Sequence, residues 1–538
     1  MTERLNEKRE EQAWEELGAT SVSPAVARAL VGVFLLTLLA VPVLQLFAEP
    51  PPVSQLAAAY PTACSLETFE RELEEASVVG SAVRPPWQEL AIDVLGLGNE
   101  QVYPGREGWL FHRPGVDYVT GRGFLDATVM GARVFGADPC TPVPQPDPVK
   151  AIVDFSRQLG ERGIDLVVMP TPVKAVVAPG AFVAGAVGPL QNVSWPEFVE
   201  ALESEAVGIF DPTGLLGPDD FLATDTHWRP AAVVRVAEAL AAFLEERVPL
   251  GPGGQGGAFE RSRGSATNLG DLTTMLDLSA RQEQGRAERV ALEPVRRAGG
   301  GSLSVGAEVL LLGDSFSNIY SDRAAFAHET VDGEPLDWGA AAGLGEQLAF
   351  ELDRPVDRIV RNAGGAHATR VALAGEVLRA ADAGRDRLAG VRVVVYQFAM
   401  RELARGDWRA VTLGAVRAHA VDPPRTERSG VRRISGTLRA RGTLPRPGTV
   451  PYPAALVALH LDEVDGAEGS EAVVVYVWGM REHAWTDAAR WPEGKRLTLD
   501  VRPWDDEDVQ RRLATTSRGE LEDLDLLALP AYYGEWKP

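Results

Sequence analysis

Cysteine is nearly absent. Cys64 and Cys140 are the two in 538 residues, too few for a disulfide-stapled scaffold or a four-thiolate zinc site. Histidine is scarce too, with seven residues. His112, His328, His367, His419, His460 and His483 have no paired spacing with cysteine or acid that would mark a metal centre. Basic residues are outnumbered, 53 Lys and Arg against 76 Asp and Glu, for a formal net charge of -23. That balance argues against nucleic acid as a partner, because phosphates must be neutralised by a basic surface. An anionic polymer is not excluded, but it would need a local basic groove. No solenoid-type repeat is present, and no cofactor is implied.

What is present suits a globular protein. Hydrophobic residues make up 45% and charged residues 24% of the chain, enough for a sizeable core, and the length leaves room for about three domains. Residues 29–48 read ALVGVFLLTLLAVPVLQLFA, without charge, about the length needed to cross a hydrocarbon core as a helix. Pro42 is tolerable in such a helix. The preceding charged tail, residues 1–28, is too long and too acidic for a signal-peptide n-region, and Glu49-Pro50-Pro51-Pro52 offers no cleavage site. The expectation is a retained signal anchor. Arg4, Lys8, Arg9 and Arg28 precede the span and no basic residue follows until Arg71, which sets the tail in the cytoplasm. The rest is then expected on the periplasmic side of the cytoplasmic (inner) membrane, as a single-pass protein. On an oxidising side, Cys64 and Cys140 are open to forming one disulfide or none.

After a spacer over residues 49–95, with a helix expected near residues 65–76, the segment YPGREGWLFHR (residues 103–113) pairs a Pro-Gly turn with an aromatic strand pattern and opens a new domain. Helices are expected over residues 147–162, 196–205, 230–247, 344–352 and 370–383. Apolar strands are expected over residues 164–169, 208–210, 309–312, 358–360 and 391–396. Continuous apolar strands alternating with amphipathic helices predict an α/β domain, residues 96–415, with a mostly parallel sheet flanked by helices on both faces. Residues 251–297, Gly-rich and then charged, read as a loop insertion. Residues 422–538 read as a small, separate β domain. Its tryptophans (Trp478, Trp485, Trp491, Trp504, Trp536) fit either a core or a carbohydrate-binding face.

Two motifs carry chemistry. In LLLGDSFS (residues 310–317) a buried strand ends at Gly313, so Ser315 falls at the carboxyl edge of a parallel sheet, where open α/β folds bind ligands. In DTHW (residues 225–228), ahead of Pro230, Asp225 can reach back to His227, and a serine nucleophile needs such an oriented base. By itself the DTHW segment also fits a simple helix cap with a surface histidine.

GDSF with a separate DTHW resembles the SGNH-like alginate O-acetyltransferases (the AlgX/AlgJ type). YPGREGWLF, IDLVVMPTPVK through Lys174 and YQFAMREL (residues 396–403) share in the likeness, which spans about residues 95–410 and the anchor. Ordinary SGNH hydrolases place the serine block first; here the Asp/His block precedes it, so the resemblance implies a circularly permuted SGNH-hydrolase-like fold. It also implies Ser315 as nucleophile, His227 as general base and then acid, and Asp225 as its orienter. For the oxyanion it implies the Ser315 N–H and the turn Arg361-Asn362-Ala363-Gly364-Gly365, where Gly364 or Gly365 offers a backbone donor and Asn362 a side-chain one. An N-x-G-G turn fits plain turn chemistry equally. Arg401 is either a structural ion-pair partner or a substrate contact.

The implied activity is O-acetyl transfer to hydroxyls of an exported polysaccharide through an acyl-serine. The implied partner is a multi-span membrane O-acyltransferase that hands the acetyl group across the membrane. Two other readings stand beside it: a carbohydrate esterase or deacetylase using the same residues with water, and a non-catalytic scaffold of an export complex.

Overall fold

The computed structural model describes residues 23–48, 77–137, 142–251, 259–297, 304–321, 342–382, 384–414 and 431–535, the last with a few positions left out, together with isolated residues such as 327 and 328. The Cys64/Cys140 pair, most of the helix expected at residues 65–76, and Trp536 lie outside the described residues. The chain divides into two units, Met1–Pro86 and Trp87–Pro538.

In the first unit, Pro24–Ala48 is one helix. Its start is capped by Ser23, whose Oγ accepts from the Val26 N–H at 3.3 Å. Its apolar side chains from Leu30 to Leu36 are exposed. Among the described residues no helix is long and apolar enough to cross a membrane. Within this helix the side chains of Thr37 and of most residues after Ala40 fall outside the described set.

The second unit is built on a five-stranded parallel sheet. An antiparallel hairpin, β1 (Val102–Pro104) and β2 (Leu110–His112), leads into it. Its strands are β3 (Asp165–Thr171), β4 (Gly208–Ile209), β5 (Val309–Gly313), β6 (Asp357–Val360) and β7 (Val393–Ala399). All residues of β5 and β7 are buried, as the unbroken apolar runs require of strands covered on both faces. The order is β6-β5-β7-β3-β4 and every pairing is parallel. Counting from β5 and carrying β3 and β4 to the end, this is the doubly wound order 2-1-3-4-5. Along the chain, the first three strands of that order follow the last two. The switch point of that order lies between β5 and β7, and open α/β sheets form their ligand crevice at the carboxyl ends of the strands there.

Around the sheet, Pro148–Gly160 is capped by Asp147 and buries Ile152, Phe155 and Leu159. The helix Pro230–Arg247 starts with proline at its first position and buries Val233, Val236, Leu240 and Leu244. It packs on Leu344–Glu351.

Two expectations need correction. Residues 251–297 are not a loop insertion. They contain the paired strands Gly264–Asn268 with Glu288–Leu292 and Phe259–Arg261 with Val295–Arg297, and a short helix Asp271–Met275. Leu272, Met275 and Leu276 pack with Val102 and Leu110 of the hairpin in one apolar cluster. The short, polar strands of this segment hid that burial.

Nor is the C-terminal β domain separate. Strands β8 (Arg432–Arg441), β9 (Ala455–Asp465), β10 (Ala472–Arg481), β11 (Arg496–Pro503) and β12 (Ala531–Glu535) pair in a closed ring, β8-β9-β10-β12-β11 and back to β8. This barrel has its own interior, including Val457, Leu459, Val475, Val477 and Leu499. The alternate residues Leu456, Ala458, Val474 and Tyr476 point outward and belong to the main α/β core, as the period of two in a strand demands. Trp491 and Trp504 are buried, and the Trp478 Nε1–H donates to the Tyr533 hydroxyl at 3.0 Å.

Candidate active site

The two motifs, 88 residues apart, meet. Gly313 ends β5, and Asp314 caps the short helix Ser315–Asn318. A Cβ at Gly313 would stand 2.0 Å from the Ser317 Oγ, so only glycine fits this bend. The Asp314 carboxylate accepts from the Phe316 N–H and the Gln397 Nε2–H, both at 2.9 Å, and from the Ala399 N–H at 2.8 Å. The Asp314 N–H in turn donates to the Gln397 Oε1 at 2.9 Å. Neighbouring β7 therefore holds the turn that carries Ser315.

From the other side, the loop ahead of Pro230 brings His227. Its Nε2 lies 2.8 Å from the Ser315 Oγ, and its Nδ1 lies 2.6 Å from the Asp225 Oδ1. The same Asp225 oxygen accepts the His227 backbone N–H at 2.9 Å. Both Asp225 and His227 are buried. Trp228 anchors the loop to the serine helix by donating Nε1–H to the Phe316 carbonyl at 2.9 Å, its ring edge-on to that of Phe316. Tyr320 is buried and donates to the Trp228 carbonyl at 2.6 Å.

A second carboxylate joins them. The Asp271 N–H donates to the Asp225 Oδ2 at 3.0 Å, its Oδ1 accepts the Thr226 N–H at 2.7 Å, and its Oδ2 takes the Thr226 hydroxyl. That Oδ2 lies 3.6 Å from the His227 Nδ1. Burial and the neighbouring Asp225 charge push the Asp271 carboxyl up to about 6. Burial opposes the charged form of His227, but the attraction of Asp225 and then Asp271 wins and raises its pKa. Ligand-type atoms of Asp225, His227 and Asp271 lie within 4.8 Å of one another, a spacing that a metal ion could use. Here they point at one another, at Thr226 and at Ser315, as a hydrogen-bonded chain.

Behind this group lies Lys174, fully buried. Its Nζ donates to the carbonyls of Leu110 and Ala223 at 2.8 and 3.1 Å. Burial brings its pKa down to about 8 against the pull of Asp225, Asp271 and Glu288. It thereby ties the hairpin to the loop bearing Asp225.

Ser315 is half-buried and opens onto a cavity of about 320 Å³ lined by His112, Asp314, Ala363, Gly365, Arg401, Glu402 and Arg405, among others. Arg401 lines it while pairing with Glu402 at 3.8 Å and standing 5.8 Å over the Phe316 ring. Gly365 has φ +56° and reaches the cavity, and a Cβ there would meet the Glu402 Oε2 at 2.4 Å. The Gly364 N–H turns back to the Arg361 carbonyl at 3.3 Å. The Asn362 Oδ1 accepts from the Asn318 Nδ2 at 3.1 Å.

His112, Glu402, Arg405 and Asp271 were not picked out from the sequence as site residues. Burial first, then Arg401 and Arg405, holds His112 well below the usual histidine range. His112 and Glu402 did sit in the segments YPGREGWLFHR and YQFAMREL; nothing in the local pattern marked Asp271.

A flavodoxin-order parallel sheet with a buried Asp-His pair aimed at a serine beyond its first strand is an SGNH-hydrolase-like fold. Residues 137–382 match the family model of the SGNH hydrolase-like domain of the acetyltransferase AlgX, the family that the motifs resemble. No curated protein matches the chain. Among solved structures, the O-acetyltransferase domain of Pseudomonas putida AlgJ is similar at 20% identity and TM-score 0.38, over 56% of this chain and 92% of that one. Pseudomonas aeruginosa AlgX is similar at 14% identity and TM-score 0.35, over 76% and 87%. Bacillus cereus PatB1 is similar at 9% and 0.32, over 58% and 99%. At such identities and scores, the chemistry rests on the site's own geometry.

Proposed function

We propose that this protein is a polysaccharide O-acetyltransferase with Ser315 as nucleophile, His227 as base and acid, and Asp225 as orienter. The observation that carries the reading is the continuous chain from Asp225 through both nitrogens of His227 to the Ser315 Oγ, at 2.6 and 2.8 Å. In the first half-reaction His227 takes the Ser315 proton as the Oγ attacks the acetyl carbonyl. The tetrahedral intermediate collapses, and the donor's leaving oxygen departs with the proton from His227. In the second half a sugar hydroxyl gives its proton to His227 and attacks the acetyl-serine, and Ser315 is regenerated. The Ser315 N–H and the cavity edge at Gly365 are the candidate donors to the oxyanion. Each such donor is worth on the order of a hundred- to a thousandfold in rate.

The acceptor is an exported polysaccharide and the donor a membrane O-acyltransferase, as the family resemblance suggests. Residues 1–28 form the cytoplasmic tail, residues 29–48 a single membrane anchor, and residues 49–95 a spacer, which puts the site on the periplasmic side. The charge-free run of residues 29–48 supports the anchor. Residues 96–415 carry the chemistry. Within residues 422–538, β8 to β12 form the barrel, in which the half-buried Trp478 with Arg481 4.7 Å over its ring is the candidate contact to a sugar.

The test uses the full chain in detergent with a chromogenic acetyl ester as surrogate donor and oligosaccharides as acceptors. Ester cleavage is followed by absorbance and acetyl transfer by mass spectrometry. Transfer lost in Ser315→Ala is the expected result. Cleavage without transfer to any acceptor points to an esterase, and turnover that survives the substitution overturns the reading.

A further inference from the structure

The barrel does more than dock. Its outer wall carries a buried polar cluster centred on Glu520. The Tyr476 hydroxyl donates to the Glu520 Oε2 at 2.8 Å, and the Arg361 Nη2–H donates to Oε1 at 3.3 Å. The Arg518 Nε lies 3.6 Å from Oε1, with its guanidinium 4.7 Å over the Trp504 ring. Burial disfavours the charged carboxylate, but Arg518 and then Arg361 outweigh it and hold the Glu520 carboxyl below its usual range.

Arg361 is the barrel's one α/β-domain partner among these groups, and it begins the turn that reaches the cavity. Its N–H donates to the Gly313 carbonyl at 2.9 Å, two residues before Ser315. Its Nη1–H donates to the Val360 carbonyl at 2.8 Å. Asn362, next in the chain, holds Asn318 of the serine helix, and Ala363 and Gly365 line the cavity. Ala363 has φ +54° and Gly365 φ +56°. An alanine in the left-handed region persists only where its surroundings fix it. Glu402 fixes the far end of this turn through the Ala366 N–H. At the near end, Arg361 reaches Glu520.

We infer that Glu520, through Arg361, is a positioning residue for the cavity wall formed by Ala363 and Gly365, so that the C-terminal barrel is an integral part of the acyl-transfer site. This rests on Ser315 being the nucleophile. Glu520 touches no reacting atom; it sets where residues 361–365 stand, and small misplacements in such a wall cost rate steeply.

The experiment compares the full-length wild type, Glu520→Gln and Tyr476→Phe. Each is titrated with a sulfonyl fluoride, which sulfonylates the Ser315 Oγ with loss of fluoride, and labelled sites are counted by mass spectrometry. Acetyl-ester turnover is then expressed per labelled site. Loss of folded protein alone lowers label and turnover together and leaves this ratio unchanged. The expected result is a ratio lowered about tenfold in Glu520→Gln and less in Tyr476→Phe. If Glu520→Gln does not fold, a lowered ratio in Tyr476→Phe carries the inference. Wild-type ratios in every variant that folds overturn it, because the cluster is then only a staple. A wild type that is not labelled at Ser315 overturns the reading of the site itself.

Discussion

The backbone N–H of Asp271 donates to the Asp225 Oδ2 at 3.0 Å, joining two buried carboxylates 46 residues apart beside one imidazole. Asp225 thus has both oxygens occupied, one by His227 and one by the amide of Asp271. The buried negative charge of both acids favours the imidazolium.

From this follows a pH dependence. A base must be neutral to accept a proton, and the His227 pKa is raised above its ordinary 6.5. The acidic limb of kcat/KM is therefore expected above pH 6.5. Asp271→Asn removes one of the charges that raise the pKa, so the limb moves to lower pH. Rate profiles from pH 5 to 9 for both proteins check this; an unmoved limb means that Asp271 does not act on His227.

Asp314 is expected to be structural to the turn that carries Ser315 rather than an acid in the reaction. Its oxygens take three N–H groups, and Asp314→Asn sets an amide N–H against one of them. The cost is about 1–3 kcal/mol for the unpaired buried donor, read in the midpoint of urea unfolding. The acidic limb of the rate profile stays where it is in the wild type.

Gly313→Ala tests the bend itself. A Cβ 2.0 Å from the Ser317 Oγ must push the serine helix aside, an overpacking cost of about 1–3 kcal/mol. Ester cleavage is expected to fall with it, because Ser315 rides on that helix. A variant with wild-type Tm and turnover would show that the bend has room to spare.

Lys174→Met leaves the carbonyls of Leu110 and Ala223 without this donor, at about 1–3 kcal/mol for an unpaired buried polar group. The loss has a pH signature. The folded pKa, about 8, lies below the ordinary 10.5, so the lysine costs stability below pH 8 and that cost fades as pH rises to 10.5. The stability of the wild type relative to the variant is expected to grow across that interval, measured by denaturant unfolding at pH 8 and 10.

Much of this was local and legible. The runs Val309–Gly313 and Val393–Ala399 are apolar at every position but Gly313 and Gln397, which a fully covered strand requires. Pro230 opens its helix where proline is best tolerated. Ser315 and His227 stood out because a turn glycine and a helix start fix where a short polar motif must lie. The barrel was legible as strands, but the closing strand Ala531–Glu535 has only five residues, AYYGE, too few to show an alternation.

By itself, then, the sequence determined the main helices and strands of the α/β domain and the order of the two motifs from which Ser315, His227 and Asp225 are proposed, because periodicity and turn chemistry operate within a few residues. The tertiary structure alone decided that Asp271 stands beside Asp225, that His112 and Glu402 share a cavity with Ser315, and that Glu520 reaches Arg361 across 159 residues. Such pairings depend on how sheet, hairpin and barrel pack, and burial is what gives the paired charges their strength; no local pattern encodes either.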